Sequence, residues 1–116
     1  MATFVKRKFS GAADGLAVKL GTTSTTIHQA VAGTTNGTYD EIWVWMTNNH
    51  TAAVLVTVEW GTVTAADGNI KVTLPAACGL VPVIPGLILQ NALYLKAKAA
   101  TDAVILCFGF VNSMTD

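Results

Sequence analysis

The residues best equipped for chemistry are few and scattered. His28 and His50 are the only histidines, and Cys78 and Cys107 the only cysteines. A metal site built from three histidines of one chain is therefore excluded, and the cysteines lack metal-ligand spacing. His28 alternates with Ile27 in Thr25-Thr26-Ile27-His28-Gln29-Ala30 and reads as a strand histidine that faces a polar surface or donates to a nearby carbonyl. His50 follows Asn48-Asn49 and reads as a solvated turn residue. As a ligand or general base, either would need carboxylate or thiolate partners close by, and no spacing supplies them.

The carboxylates are equally dispersed. Asp40 and Glu41 are adjacent at the start of a strand, so they project to opposite faces and cannot form an acid/base pair within it. Glu59 reads as a solvent or cross-strand ion-pair position toward Lys71 or Lys96. No nucleophile elbow, phosphate loop or dinucleotide fingerprint occurs. The expectation is no catalytic residue, no cofactor, no metal and no enzymatic activity. Trp43, Trp45 and Trp60 remain. They could stack against sugar rings, with Asn48, Asn49 and Asp40 as polar neighbours, or they could pack in a core or protein interface, where tryptophan is enriched.

These residues must be positioned by strands. No segment sustains an i, i+3, i+4 apolar pattern with caps, whereas period-two alternation recurs throughout. Candidate strands cover residues 4–9, 16–20, 25–31, 41–47, 53–60, 69–74, 80–84, 92–97 and 103–111, with turn chemistry between them. Asn36-Gly37 and Asp67-Gly68 are the strongest hairpin signals. The fold class is all-β: an antiparallel β-sandwich or jelly-roll-like barrel of eight or nine short strands. Residues 1–116 make a single domain, with residues 1–10 an N-terminal arm or edge strand.

Two strands stand apart. In residues 41–47, Ile42, Val44 and Met46 alternate with Trp43 and Trp45, so both faces are apolar; with residues 53–60 the segment reads as a hairpin. Residues 103–111 repeat the pattern, with Val104, Leu106, Phe108 and Phe110 opposing Ile105, Cys107 and Val111. By contrast, Lys71 and Thr73, or Lys96 and Lys98, give other strands one wet side. The two dry strands are expected at the centre of a sheet that meets the core on one face and a neighbouring subunit on the other. Trp43, Trp45, Ile105 and Val111 are the candidate interface residues.

Composition points the same way. The chain is 52% hydrophobic and 12% charged, against about 25% charged in an ordinary soluble domain. Such a chain has few groups with which to cover its outside, and obligate oligomers solve this by burying surface against one another. Seven basic and seven acidic residues cancel, so no global field favours nucleic acid or an anionic membrane. Lys6-Arg7-Lys8 is the only basic cluster; with Phe4 it makes a candidate arm for contacting a partner. The amino terminus lacks an apolar stretch before a cleavage site, so secretion is not expected. The apolar region of residues 79–95 is broken by Pro82, Pro85 and Gly86 and is too interrupted to span a membrane. It reads as two short strands joined by a turn at Pro85-Gly86. Cys78 and Cys107 are expected as free thiols.

Five segments together resemble the head decoration, or capsid cement, proteins of tailed bacteriophages. They are Ile27-His28-Gln29-Ala30-Val31, Tyr39-Asp40-Glu41-Ile42-Trp43-Val44-Trp45, Val56-Thr57-Val58-Glu59-Trp60-Gly61, Val83-Ile84-Pro85-Gly86-Leu87 and Phe108-Gly109-Phe110-Val111-Asn112. The resemblance implies a structural protein of the virion that is made in the host cytoplasm and decorates the outer capsid surface. It further implies a homo-oligomer, with a trimer favoured, that clamps neighbouring major capsid subunits. It implies no nucleic acid, membrane or small-molecule substrate as partner. A neck, tail or baseplate subunit is the alternative within the virion, and a lectin-like carbohydrate-binding module the alternative of another class.

Overall fold

The computed structural model describes residues 2–116. Nine strands, and no helix among these residues, make up the chain: β1 Thr3–Arg7, β2 Val18–Lys19, β3 Thr25–Gln29, β4 Tyr39–Asn48, β5 Val54–Trp60, β6 Asn69–Leu74, β7 Val81–Leu89, β8 Tyr94–Ala99 and β9 Ile105–Thr115. They form two antiparallel sheets. Sheet I has the order β1-β9-β4-β7, with β2 joining the same edge of β9 further along, and sheet II has the order β3-β8-β5-β6. The expected all-β sandwich is thus present. With β1 and β2 sharing one position beside β9, the strand order is that of a jelly roll.

The core lies between the sheets and follows directly from period-two alternation. Ile42, Val44 and Met46 of β4 point inward with Ile105, Cys107 and Val111 of β9, and meet Val54, Val56 and Val58 of β5 and Leu95, Ala97 and Ala99 of β8. Phe9, just beyond β1, is also buried there. Burial of this kind supplies roughly 1.5–3 kcal/mol per large side chain. Both cysteines are free, and burial pushes the Cys107 thiol up to about 12.

Two expectations about connections are corrected. First, β4 and β5 are not a hairpin but lie in opposite sheets. The cause is Asn48, fully buried at the end of β4. Its amide donates to the Ala52 and Leu74 carbonyls at 3.0 and 2.9 Å while Oδ1 accepts the His50 amide at 2.8 Å. These bonds satisfy backbone groups that a chain leaving one sheet for the other would otherwise bury unpaired. Asn36-Gly37 likewise precedes a crossing from β3 to β4, whereas Asp67-Gly68 does close the β5–β6 hairpin, in which the Trp60 amide donates to the Gly68 carbonyl at 2.9 Å.

Second, Pro85-Gly86 is not a turn between two strands. It lies within the nine-residue β7, where the register against β4 shifts twice. An edge strand tolerates Pro82 and Pro85 because one of its sides needs no amide donor. Gly86 takes φ +78°, and a Cβ there would stand 2.7 Å from Trp43 Cζ2. The glycine therefore serves both the bulge and the close approach of the indole.

Candidate functional site: the aromatic outer face of sheet I

Antiparallel register fixes which residues share the outer face of sheet I. Across β1, β9, β4 and β7 run the rows Phe4–Met114–Tyr39, Lys6–Asn112–Glu41–Ile88, Phe110–Trp43–Pro85 and Phe108–Trp45–Pro82. The Trp43 and Trp45 ring planes lie 18° apart with centroids 6.2 Å apart, and Trp43 and Phe110 lie at 19° and 6.2 Å. Phe110 also sits 5.9 Å from Trp45. These rings are half-buried, and Phe4 and Ile88 at the margins are 61% and 56% exposed. The result is an aromatic and aliphatic surface spanning four strands.

Few charges interrupt it, and those present are tied to the rings. The Trp43 indole N–H donates to Glu41 Oε1 at 2.7 Å, and the Asn112 amide donates to the same oxygen at 3.0 Å. The Trp43 bond first, and then that from Asn112, holds the Glu41 carboxyl below its usual range. Lys6 places its ammonium 4.5 Å from the Phe110 ring centre, a cation–π contact. Trp43 is thus pinned from two sides, by Glu41 at its nitrogen and by Gly86 beneath its ring. Side chains held in this way lose little rotamer freedom when a partner covers them, which favours tight docking.

The structure redistributes the candidate residues. Trp43 and Trp45 lie on the outer face. Ile105 and Val111 do not: both are fully buried in the subunit's own core, so they cannot form an oligomer interface. The reason is register, because Val111 pairs with Ile42 and shares its inward face, whereas Phe110 pairs with Trp43. The residues that take their place outside are Leu106, Phe108, Phe110, Asn112 and Met114. Phe4 and Lys6, proposed for a separate contact, lie on the same outer face as the tryptophans. Arg7, one residue on, turns to the opposite side of β1, and Lys8 lies beyond the strand with its ammonium donating to the Ala12 carbonyl at 3.1 Å.

The groups named as polar neighbours for a sugar platform are elsewhere. Asn48 and Asp40 are buried, and Trp60 lies in sheet II, packed partly against the core. Asp40 and Glu41 do project to opposite faces, with Asp40 inward. His28 is neither surface-facing nor bonded to a carbonyl: it is 4% exposed and its Nε2 lies 2.7 Å from Asp40 Oδ2. His28 Nδ1 accepts the Ser10 amide at 3.0 Å, so the ring proton sits on Nε2 and is donated to Asp40. The Val31 amide donates to the same Oδ2 at 3.1 Å. Burial raises the Asp40 carboxyl, but His28 first, then Ser113 and the Val31 amide, outweigh it and hold the carboxyl below its usual range. With both ring nitrogens committed, this pair is a clamp joining β3, β4 and the segment after β1. No cluster of three or more metal-ligating side chains occurs among the described residues.

The chain matches no protein-family model, no curated protein and no solved structure.

Proposed function

We propose that this protein is a virion structural subunit of the capsid decoration type, which acts by packing the outer face of sheet I against protein. The observation that carries this reading is that face itself. Three strands, β1, β9 and β4, present Trp43, Trp45, Phe108, Phe110, Met114 and Phe4 with Lys6 and Glu41 bonded among them. Interface cores are enriched in aromatic residues and methionine and depleted in charged ones. The jelly-roll strand order supports the reading at the level of fold, since viral capsid proteins use that architecture, though lectins do too.

In this reading the face joins copies of the chain, a trimer in accord with the resemblance. Its Phe4–Lys6 margin bears on the major capsid subunits. Because Phe4 and Lys6 adjoin the tryptophans, contact with a copy and contact with the capsid are made by neighbouring parts of one surface. Decoration needs area and repetition, not reactive groups: a subunit that binds the assembled shell preferentially stabilises it by mass action, multiplied over many copies.

Co-sedimentation with expanded empty capsids of the encoding phage, followed by cryo-electron microscopy, tests the proposal. Stoichiometric density on the outer shell is expected. A ring at the neck, tail or baseplate would favour that location instead, and absence from the particle would overturn the virion role.

A further inference from the structure

A second region, on the opposite side of the molecule, has the features of a ligand site. Glu59 points to the outer face of sheet II, yet it is only 3% exposed. Its Oε1 accepts the Ser24 hydroxyl at 2.6 Å, and its Oε2 takes no hydrogen bond from any described residue. Lys96 stands directly across the β5–β8 ladder from Glu59, the position in which an opposite charge ordinarily pairs. It does not do so: the two form no ion pair among the described residues, and the Lys96 ammonium lies 5.2 Å from the Tyr94 ring centre.

The carboxylate lines a cavity of about 280 Å³ whose walls include Val63, Leu93 and Tyr94, with Thr62 and Lys96 also on its lining. The first three are 57%, 40% and 43% exposed, so apolar side chains open to solvent share the cavity with one buried acid and with Lys96, whose ammonium leans to Tyr94 and leaves the acid unpaired. The backbone that shapes the walls is strained. Asn91 and Ala92 are consecutive non-glycine residues at φ 64° and 56°, a conformation that costs energy and often marks binding sites. The volume falls below the roughly 300–1,000 Å³ of pockets for drug-sized ligands, which suits a group of a few heavy atoms.

We infer that this cavity binds an alkylammonium group, its cationic head on Glu59 Oε2 and its methylene stem against Leu93 and Val63. The inference is independent of the capsid reading. The chemistry follows from what the cavity offers: a buried acceptor-only group that Lys96 leaves unpaired calls for a donor, and the apolar part of the wall disfavours a fully hydrated ion. Two sources share this chemistry, a small organic amine and the lysine side chain of a protein partner.

Amide NMR titration of the full chain with n-butylammonium, n-butanol and butyrate tests it. Saturable shifts at Glu59, Val63 and Leu93 are expected with the amine, and binding at least tenfold weaker with the alcohol and the carboxylate. Glu59→Gln keeps a carbonyl for the Ser24 hydroxyl and should weaken amine binding at least tenfold. Lys96→Met, which removes a nearby like charge without touching the Ser24 bond, should strengthen it; this variant keeps the test decisive if Glu59→Gln does not fold. N-acetyl-lysine methylamide binding as well as butylammonium would assign a partner's lysine, and binding of butylammonium alone would assign a small amine. Equal binding of all three butyl compounds, no saturable binding of the amine, or weaker binding by Lys96→Met would overturn the inference.

Discussion

The two sheets share one core but present opposite exteriors. Outside sheet I, the cross-strand rows are filled by Trp43, Trp45, Phe108 and Phe110, with Pro82 and Pro85 beside them on the edge strand. Outside sheet II, the corresponding rows place Thr57 between Lys71 and Lys98, and Glu59 between Asn69 and Lys96. Lys71 and Lys98 are exposed, so these rows alternate charged and polar side chains, the ordinary way for a strand to face solvent. Sheet II is thus finished as a surface and sheet I is not. A chain with so few charges places three of its six lysines on one exterior, which fits the proposal that the other is covered.

A charge placed on each exterior gives the largest expected contrast. Trp43→Glu should weaken self-association at least a hundredfold, about 3 kcal/mol, as loss of a central aromatic anchor does. Leu55→Glu on sheet II, where Leu55 is 42% exposed, should change it by less than about twofold. Sedimentation velocity across a concentration series measures both. Equal sensitivity of the two exteriors would break the contrast.

Folding must be separable from assembly, and the inner clamp allows this. Asp40→Ala should cost about 2–3 kcal/mol in urea unfolding, because the His28 and Val31 donors lose a buried charged acceptor, while the association constant of the folded fraction stays unchanged. The Asp40 carboxyl is held below its ordinary value in the fold. Its stabilising contribution is therefore complete above the unfolded pKa of about 3.9 and is lost as pH falls through the lower folded value. The destabilisation by Asp40→Ala should accordingly shrink in acid below about pH 4.

Smaller effects sharpen the account of how Trp43 is held. Gly86→Ala puts a methyl group 2.7 Å from the indole at a φ of +78°, and should cost about 1–2 kcal/mol of stability. It should also shift the tryptophan emission. Lys6→Gln removes one cation–π contact on the same face and should cost association only about 0.5–1 kcal/mol, read by the same sedimentation series.

Alternation made much of this legible. The strand Asn69–Leu74 has the bounds expected from Ile70, Val72 and Leu74 facing inward, since Lys71 and Thr73 leave no doubt about the wet side. Trp43 and Trp45 were likewise assigned outward. For β9 the same logic failed, because both of its faces are apolar and alternation alone cannot rank them. The expected assignment puts Ile105 and Val111 outside, where the structure has Leu106, Phe108 and Phe110. Pairing between β4 and β9 decides the matter, by setting Phe110 opposite Trp43, and pairing is a property of the assembled sheet. The sheet crossing at Asn48 and the bulge at Gly86 were hidden for a similar reason: each residue type suits a turn, and tertiary partners chose another use for it. The Glu59 cavity needs two loops and two strands to converge, which no local pattern records.

The most direct measurement is the mass of the protein in solution by light scattering, with acrylamide quenching of its tryptophans on the same samples. Covered aromatic faces predict a mass near three times 12.1 kDa at micromolar concentration, with fluorescence that becomes more accessible to acrylamide on dilution. A mass of 12.1 kDa at every concentration, with tryptophans equally open throughout, would contradict the claim that the outer face of sheet I exists to meet another copy.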